Sequence, residues 1–177
     1  MPVGIDILKK LMREKNLVVG LGKRDRITPE GAGFDLRVGE VYALRDAGYL
    51  GISKRRTSLP RLIASRRRNK TLVVPPGAYY LVKTIEKVNM PMYLTASIAP
   101  RSSLFRSGVT LYTAKVGPRY RGKLIFGLHN AGPIEFTLEM GARIAHIVFE
   151  QIEGEAVPYR GQWQGGRVST KGFEKQI

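Results

Sequence analysis

The residues best suited to chemistry lie in one stretch between Pro100 and Asn130, where cations and hydroxyls follow one another closely. The stretch opens with Arg101, Ser102 and Ser103 and continues to Arg106. Guanidinium forks and hydroxyl donors that converge on one point suit the binding of a phosphate ester. We therefore expect a phosphate-binding site where a strand ends in a short turn. A structural ion-pair and turn-capping cluster is the alternative.

A second set of cations lies near the C-terminus. Arg160, Arg167 and Lys171 are spaced among the glycines of the range 161–172. Such a segment suits a mobile arm whose backbone amides and cations close over phosphates. A frayed, basic, disordered tail is the alternative.

The charge of the chain is strongly positive, with 30 Lys and Arg against 14 Asp and Glu and a formal net charge of +16. This charge favours polyanionic partners. Between Asp46 and Glu86 there is no acidic residue, and the range 54–70 carries a dense basic block. We interpret this block as an exposed insertion or long loop. It is either simply solvated or an arm that contacts nucleic acid.

The composition excludes several classes of protein. The 177 residues form one domain of ordinary size, and 43% of them are hydrophobic, which is typical of a globular protein. The absence of cysteine excludes disulfides, thiolate catalysis and a thiolate zinc site. No apolar run approaches the roughly 18 residues of a membrane span, and the N-terminus lacks a signal-peptide core. We expect a soluble cytoplasmic protein without membrane contact.

The elements that must position these side chains are mostly strands. Apolar residues at helical spacing predict a helix over 6–15. Short alternating segments separated by Gly and Pro turns then predict a mainly β fold, a sandwich or barrel. The predicted strands are 17–21, 34–38, 71–74, 78–84, 92–98, 109–114, 123–129, 135–138 and 142–150.

Five motifs in order resemble the dUTPase and dCTP deaminase superfamily, closest to the archaeal dUTPase branch of the dCTP deaminase family. They are the xDL segment 29–37, the PPG segment from 75 to 91, the segment between 100 and 122 that contains both RSSL and YRG, the strand pair 136–149 and the segment 158–166. The resemblance implies a dUTPase-like distorted β-barrel or jelly roll with a short N-terminal helix. It also implies a single β domain over 1–157, with the basic insertion at about 50–70, and a C-terminal arm over 158–177.

The resemblance assigns a role to each candidate site residue. It implies that Arg106 acts in catalysis and that Asp35 acts both in catalysis and, indirectly, in binding Mg²⁺. The residues that the resemblance implies for substrate binding are Arg101, Ser102, Ser103, Arg106, Ala114, Tyr120, Tyr159, Arg160 and Gln164. A plain packing role for Tyr120 and a surface role for Gln164 are the alternatives. His129 and His146, on apolar strands, are expected to be core histidines rather than catalysts.

Two positions depart from the family pattern. Gly117 stands where the family has an Asp that contacts the sugar and, in dUTPases, helps to activate water. Gly127 stands where the deaminase branch has a Glu general base. Deamination requires a group that moves protons, and glycine has none. The sequence therefore disfavours dCTP deamination.

The resulting hypothesis is a homotrimeric dUTP diphosphatase that uses Mg²⁺ and converts dUTP and water to dUMP and pyrophosphate. Its ligand is a deoxyuridine or deoxycytidine triphosphate. A nucleotide-binding protein with degenerate or absent catalysis is the first alternative. A nucleic-acid-binding module that uses the basic block over 54–70 is the second.

Overall fold

The structure is a computed structural model that describes residues 1–176. Within this range the chain forms three helices and 13 strands. The helices are α1 (Ile5–Lys15), α2 (Lys23–Ile27) and α3 (Ser102–Arg106). The strands are β1 (Val18–Val19), β2 (Gly33–Leu44), β3 (Tyr49–Leu50), β4 (Lys54–Arg56), β5 (Pro60–Ser65), β6 (Thr71–Val74), β7 (Tyr79–Asn89), β8 (Leu94–Pro100), β9 (Val109–Tyr112), β10 (Arg121–Asn130), β11 (Phe136–Glu139), β12 (Arg143–Gln151) and β13 (Glu174–Lys175).

The predicted mainly β architecture is confirmed. One large sheet has the order β8-β12-β2-β7-β10-β9, with β1 paired to β7 and β5 paired to β2. An antiparallel bridge between Ala96 of β8 and Val116, just beyond β9, joins the two edges of this sheet. Such closure removes exposed edges and gives a nearly closed, distorted barrel.

Alternation along the strands decides which face is buried. In β7 the buried positions are Val82, Thr84, Glu86 and Val88, every second residue. The alternate side chains point to the opposite face, as the pleat of a strand requires. The core therefore lies inside the barrel, where the rings of Phe34 and Phe149 meet edge to face at 6.4 Å.

The N-terminal helix closes one side of this core. α1 buries Leu8 and Leu11 and ends at Asn16, whose left-handed backbone (φ 50°) stops the helix. The predicted helix over 6–15 is thus confirmed to within one residue. None of the helices formed by residues 1–176 has the length and apolar composition needed to cross a membrane.

The interpretation of the basic block as a loop is wrong. β4 and β5 lie within it, and β5 extends the main sheet by pairing with β2. β4 lies between β3 and β13 in a separate sheet that joins the insertion to the C-terminal segment. Sequence alternation gave no indication of β4 because this strand has only three residues, and its partners β3 and β13 have two each. β5 has six residues and was not predicted.

Candidate functional site: a cationic cluster and an aromatic cavity

A cluster of cations surrounds the carboxylate of Asp35. Three adjacent strands bring these residues together, because His146 of β12 pairs with Asp35 of β2 and β12 also pairs with β8 as far as Pro100. Arg101 follows directly on β8, and Arg143 begins β12. Arg101 Nη1 and Arg143 Nη1 donate to Asp35 Oδ2 at 2.7 and 2.8 Å.

Two further groups complete the shell around this carboxylate. Arg24 Nη1, from α2, donates to the same Oδ2 atom at 3.2 Å. His146 Nδ1 lies 3.0 Å from Asp35 Oδ1. The Asp35 side chain is 2% exposed, whereas the three arginine side chains are 31 to 45% exposed. The carboxylate therefore orients a set of guanidinium groups that still face solvent and can bind an anion.

This geometry gives Asp35 a different role from the predicted one. Burial raises the pKa of Asp35, but hydrogen bonds from His146, Arg101 and Arg143 and the charge of Arg101 outweigh burial and hold that pKa well below its ordinary value. A carboxyl with a low pKa is a poor proton acceptor at neutral pH. Asp35 acts here as the counter-ion of the cluster, and His146 belongs to the same cluster instead of the apolar core.

The rest of the RSSL motif lies on the surface beside this cluster. Ser102 and Ser103 begin α3, Arg106 ends it, and all three are exposed. The Arg106 guanidinium lies over the ring of Phe105, 5.8 Å from its centroid. These side chains are therefore accessible to a ligand, while Arg101 is held by Asp35.

An aromatic cavity of about 990 Å³ lies elsewhere in the chain. Ala114 and Gly117 line it on one side, and Tyr79, Tyr120, Tyr159 and Trp163 contribute aromatic rings. The edge of Tyr159 meets Tyr120 at 5.4 Å, and the Tyr120 hydroxyl donates to Lys123 O at 2.7 Å. Burial, with the neighbouring Tyr159, raises the pKa of Tyr120 to about 12. A mainly apolar cavity with a few polar groups suits a planar heterocycle.

The insertion and the C-terminal segment form the outer wall of this cavity. Arg55 and Arg56 of β4 line it, so part of the basic block faces inward. The backbone N–H of Thr57 donates to Thr170 Oγ1 at 3.0 Å, and the N–H of Thr170 donates to Thr57 Oγ1 at 2.9 Å. The arginines at 66–68 lie on an exposed turn after β5 instead. No observation favours a nucleic-acid interface over this role.

The C-terminal segment is docked and not a free arm. The N–H of Tyr159 donates to Pro118 O at 2.7 Å, and that of Gly165 donates to Arg121 O at 2.8 Å. Gln164 Oε1 accepts from the N–H of Arg121 at 2.7 Å, and its Nε2 donates to Arg119 O at 3.1 Å. Both ends of the Gln164 amide therefore hold the segment against the backbone at 119–121. In this conformation the amide is not free to hydrogen-bond a nucleotide base.

Three residues with functional potential were not predicted from the sequence. Tyr79 and Trp163 contribute rings to the cavity, and Asp46 is the one carboxylate among the described residues that line it. A hydrogen bond from the N–H of Leu59, followed by one from Arg56, lowers the pKa of Asp46. A strand reading of 78–84 could have shown that Tyr79 and Leu81 share a face. The position of Asp46 follows only from the fold of the insertion.

Gly117 and Gly127, the two glycines at positions where the family pattern has acidic residues, differ in their surroundings. Gly117 lines the cavity, and a Cβ atom added there would lie 3.8 Å from Tyr159, an ordinary contact. Gly127 is buried in β10, and a Cβ atom there would overlap the Tyr79 hydroxyl and lie 2.8 Å from Tyr79 Cζ. A Cβ atom is therefore accommodated at 117, whereas at 127 it requires the Tyr79 ring to move.

The cluster and the cavity are separate within one chain. Thr113 Oγ1 donates to Ile98 O at 3.0 Å, which places the cavity segment beside the middle of β8. Arg101 lies three residues farther along, roughly 10 Å at the rise of a strand. None of Arg101, Ser102, Ser103 and Arg106 lines the cavity, and neither does the exposed Arg160. Ala114, Tyr120 and Tyr159 do meet there.

Comparisons with known proteins agree with this architecture. A probable deoxyuridine 5'-triphosphate nucleotidohydrolase of Methanothermobacter thermautotrophicus is 34% identical over 164 residues, which cover 93% of this chain and 99% of that protein. A dCTP deaminase of Pyrococcus furiosus is 37% identical over 135 residues, which cover 76% of this chain and 77% of that protein.

A solved structure shows the same fold. The 2'-deoxycytidine 5'-triphosphate deaminase of Agrobacterium tumefaciens aligns with a TM-score of 0.65 at 18% identity, over 84% of this chain and 48% of that one. The present chain thus spans about half the length of that deaminase. The family model described as dCTP deaminase-like matches residues 5–152. Because this match covers most of the chain, the protein belongs to the dCTP deaminase-like family.

Proposed function

We propose that the protein is a dUTP diphosphatase, which converts dUTP and water to dUMP and pyrophosphate. The observation that carries this proposal is the cavity at Ala114, Tyr120 and Tyr159, together with Gly127, which lies behind the cavity residue Tyr79 and has no proton-moving group. Such a cavity can hold a pyrimidine deoxynucleoside but lacks the base that deamination needs. Hydrolysis at the α-phosphorus depends mainly on positioning and on charge stabilisation.

The triphosphate would be bound by cations that lie outside the cavity of their own chain. Arg101 and Arg106 are the candidates, and neither lines the cavity. A second copy that presents its RSSL motif to the cavity would complete the site. This arrangement is consistent with the homotrimer that the family resemblance implies, in which three equivalent head-to-tail interfaces close a ring.

The residues around Asp35 do not fit a metal held by the protein. Its Oδ2 atom already accepts from three guanidinium groups, and its Oδ1 atom faces His146. Within residues 1–176 there is also no group of three or more His, Asp or Glu side chains that could hold a metal ion. A metal held by these residues therefore takes no part in the proposed reaction. Dependence on Mg²⁺ stays a prediction, and pyrophosphate release from dUTP measured with and without Mg²⁺ tests it.

In the proposed reaction, water attacks the α-phosphorus and pyrophosphate leaves. Arg101 and Arg106 would stabilise the negative charge that develops on the phosphate oxygens. The low pKa of Asp35 means that this carboxyl does not take the proton from water. Its part is to position Arg101, and the water is oriented by backbone groups or by the neighbouring copy.

The proposal is tested by pyrophosphate release from each of the four common deoxynucleoside triphosphates and from dUTP. We expect turnover with dUTP and no ammonia release from dCTP. A complete lack of turnover with dUTP at high protein concentration refutes the enzyme.

The shared site is tested by mixing two inactive variants, Arg106→Ala and Tyr120→Ala. If each site combines two chains, random reassembly of equal amounts restores about a quarter of the wild-type sites. Each variant unfolded and refolded alone is the control. Recovery of no activity from the mixture, with both variants correctly folded, contradicts the shared site.

A second candidate is a nucleotide-binding protein without turnover. The observation that favours it is the lack of a free carboxylate in the cavity, since Asp46 is already bound by Arg56 and by the N–H of Leu59. Isothermal titration separates the two candidates. Binding of dUTP or dCTP without release of pyrophosphate or ammonia supports this one, and a lack of binding excludes both.

A further inference from the structure

The wall of the cavity beside Gly127 is formed by a tyrosine from the neighbouring strand. Tyr79 begins β7, which pairs antiparallel with β10 so that Gly127 lies opposite Leu81 and His129 lies opposite Tyr79. The Tyr79 ring leans across this pair toward Gly127. It also lies 6.0 Å from the ring of Tyr112, measured between centroids.

In this position the Tyr79 ring occupies the space of a side chain at 127. A Cβ atom there would overlap Tyr79 Oη, lie 2.8 Å from Tyr79 Cζ and lie 3.2 Å from Tyr112 Cδ2. A side chain at 127 would therefore require the Tyr79 ring to move. Gly127 and Tyr79 therefore form a matched pair, in which the absence of one side chain makes room for the other.

Within the described part of the chain, the Tyr79 hydroxyl has no hydrogen-bond partner, unlike those of Tyr120 and Tyr159. Tyr120 donates to a backbone carbonyl, and the Tyr159 hydroxyl accepts from the N–H of Trp163 at 3.3 Å. Among the side-chain hydrogen bonds of residues 1–176 there is none to the hydroxyls of Tyr79 and Tyr49, which both line the cavity, and of these two it is Tyr79 that lies against Gly127. A polar group on a mainly apolar wall is the kind of group that orients a ligand.

We propose that Tyr79 is a specificity-determining residue of the nucleotide site, whose hydroxyl hydrogen-bonds the base of a bound pyrimidine deoxynucleotide. This inference rests on the proposed function, because it assigns the base to the cavity. Burial, with a smaller contribution from Tyr112, raises the pKa of Tyr79 above its ordinary value. At neutral pH the phenol is therefore uncharged and can both donate and accept a hydrogen bond. It does not replace a general base, because it holds its proton.

The inference is tested with Tyr79→Phe, which keeps the ring and removes only the hydroxyl. The probe is the α,β-imido analogue of dUTP, measured by isothermal titration beside inorganic tripolyphosphate, which has no base. We expect Tyr79→Phe to bind the dUTP analogue about threefold to tenfold more weakly, the effect of one lost hydrogen bond. Binding of tripolyphosphate should not change.

Tyr112→Phe is the matched control, because Tyr112 lies beside Tyr79 but does not line the cavity. It should bind both probes as the wild type does. Gly127→Ala provides a second perturbation, since its Cβ atom displaces the Tyr79 ring. Combined with Tyr79→Phe it should add little further loss of affinity, because both changes remove the same contact.

The outcomes separate this inference from the proposed function. If wild-type protein hydrolyses dUTP and Tyr79→Phe binds the analogue as tightly as wild type, the proposed role of Tyr79 is refuted. The proposed dUTP diphosphatase activity is then still supported. If Tyr79→Phe weakens both probes equally, the hydroxyl contacts phosphate and the assignment to the base is wrong. If wild-type protein binds neither dUTP nor dCTP, the proposed function fails and the inference fails with it.

Discussion

The carboxylate of Asp35 offers the sharpest test of the structure, because Asp35→Asn changes its charge and almost nothing of its shape. Arg101 Nη1 and Arg143 Nη1 bond the same Oδ2 atom at 2.7 and 2.8 Å. The two nitrogens are therefore less than about 6 Å apart, where two unit charges repel by about 3 kcal/mol at an effective dielectric constant of about 20. In the wild type, the carboxylate offsets this repulsion.

The magnitude follows from what the substitution removes. The amide oxygen of Asn can still accept from a guanidinium, but without the negative charge these hydrogen bonds are weaker than those to the carboxylate, each worth about 1.5–3 kcal/mol. Both arginines are about one third exposed, so solvent screens part of the repulsion. We expect a net loss of about 3–5 kcal/mol in the free energy of unfolding, the usual cost of removing one partner from a buried ion pair. At about 2–4 °C per kcal/mol for a protein of this size, Tm should fall by roughly 6–20 °C.

The assay is urea unfolding of wild type and Asp35→Asn at one protein concentration, since the stability of an oligomer depends on concentration. Asp46→Asn is the matched control. Asp46 also pairs with an arginine, but its side chain is 28% exposed, so the loss should be much smaller than at Asp35.

The dependence on pH provides an independent check. The pKa of Asp35 is lowered in the folded state, so its stabilising effect is present at neutral pH and is lost as pH falls below about 4, the ordinary value in the unfolded chain. The difference between wild type and Asp35→Asn should therefore shrink steadily as pH falls below 4. A difference under about 1 kcal/mol at pH 7, or one that does not change with pH, would refute this account of the cluster.

Three further predictions concern the binding site. Arg106→Ala should weaken triphosphate binding at least about tenfold in titration calorimetry, with little change in Tm. Neutralising the arginines of 66–68 should leave the affinity nearly unchanged, because remote exposed charges are screened. The reverse pattern would show that the basic turn at 66–68 is the binding surface. Gly117→Asp should fold normally, since a Cβ atom at 117 makes only an ordinary contact. It should raise the rate of pyrophosphate release from dUTP if the missing carboxylate limits turnover. An unchanged rate would show that the missing carboxylate does not limit turnover. Gly166→Ala should release the C-terminal segment from β10, because position 166 has φ +76° and a Cβ atom there would lie 2.8 Å from the backbone of β10. Limited proteolysis should then remove the segment faster than in the wild type. Gly154→Ala, with φ +83° and open space, controls for backbone strain alone, and equal proteolysis of both variants would contradict the docking.

The fold class and most of the strands of the barrel could be predicted from local sequence patterns. Alternation in segments such as 78–84 and 142–150 predicted strands that the structure places at Tyr79–Asn89 and Arg143–Gln151. These predictions succeeded because apolar and polar residues must alternate along a strand with one buried face, so neighbouring residues alone carry the pattern. The same local logic placed the cations and hydroxyls of the RSSL motif at the end of a strand, and β8 ends at Pro100 directly before them.

The contacts of Asp35 and Gln164 could not be predicted from the sequence, because their partners are distant along the chain. Asp35 is separated from Arg101 and Arg143 by 66 and 108 residues, and only the pairing of β8, β12 and β2 makes them neighbours. The amide of Gln164 is used by the hairpin at 119–121, across 43 and 45 residues. A carboxylate or an amide has the same chemistry in any sequence, and its partners are fixed by the register of the strands.

The basic block and the tail show the same limit. Their charges and glycines predicted a solvated loop and a mobile arm, but β4 pairs with β13 and brings Arg55 and Arg56 to the cavity wall. Two-residue strands such as β3 and β13 carry no periodic signal, so their pairing follows from packing alone. The absence of a side chain at Gly127 could be read from the sequence. That Tyr79 fills the resulting space could not, because the space exists only where β7 and β10 lie side by side.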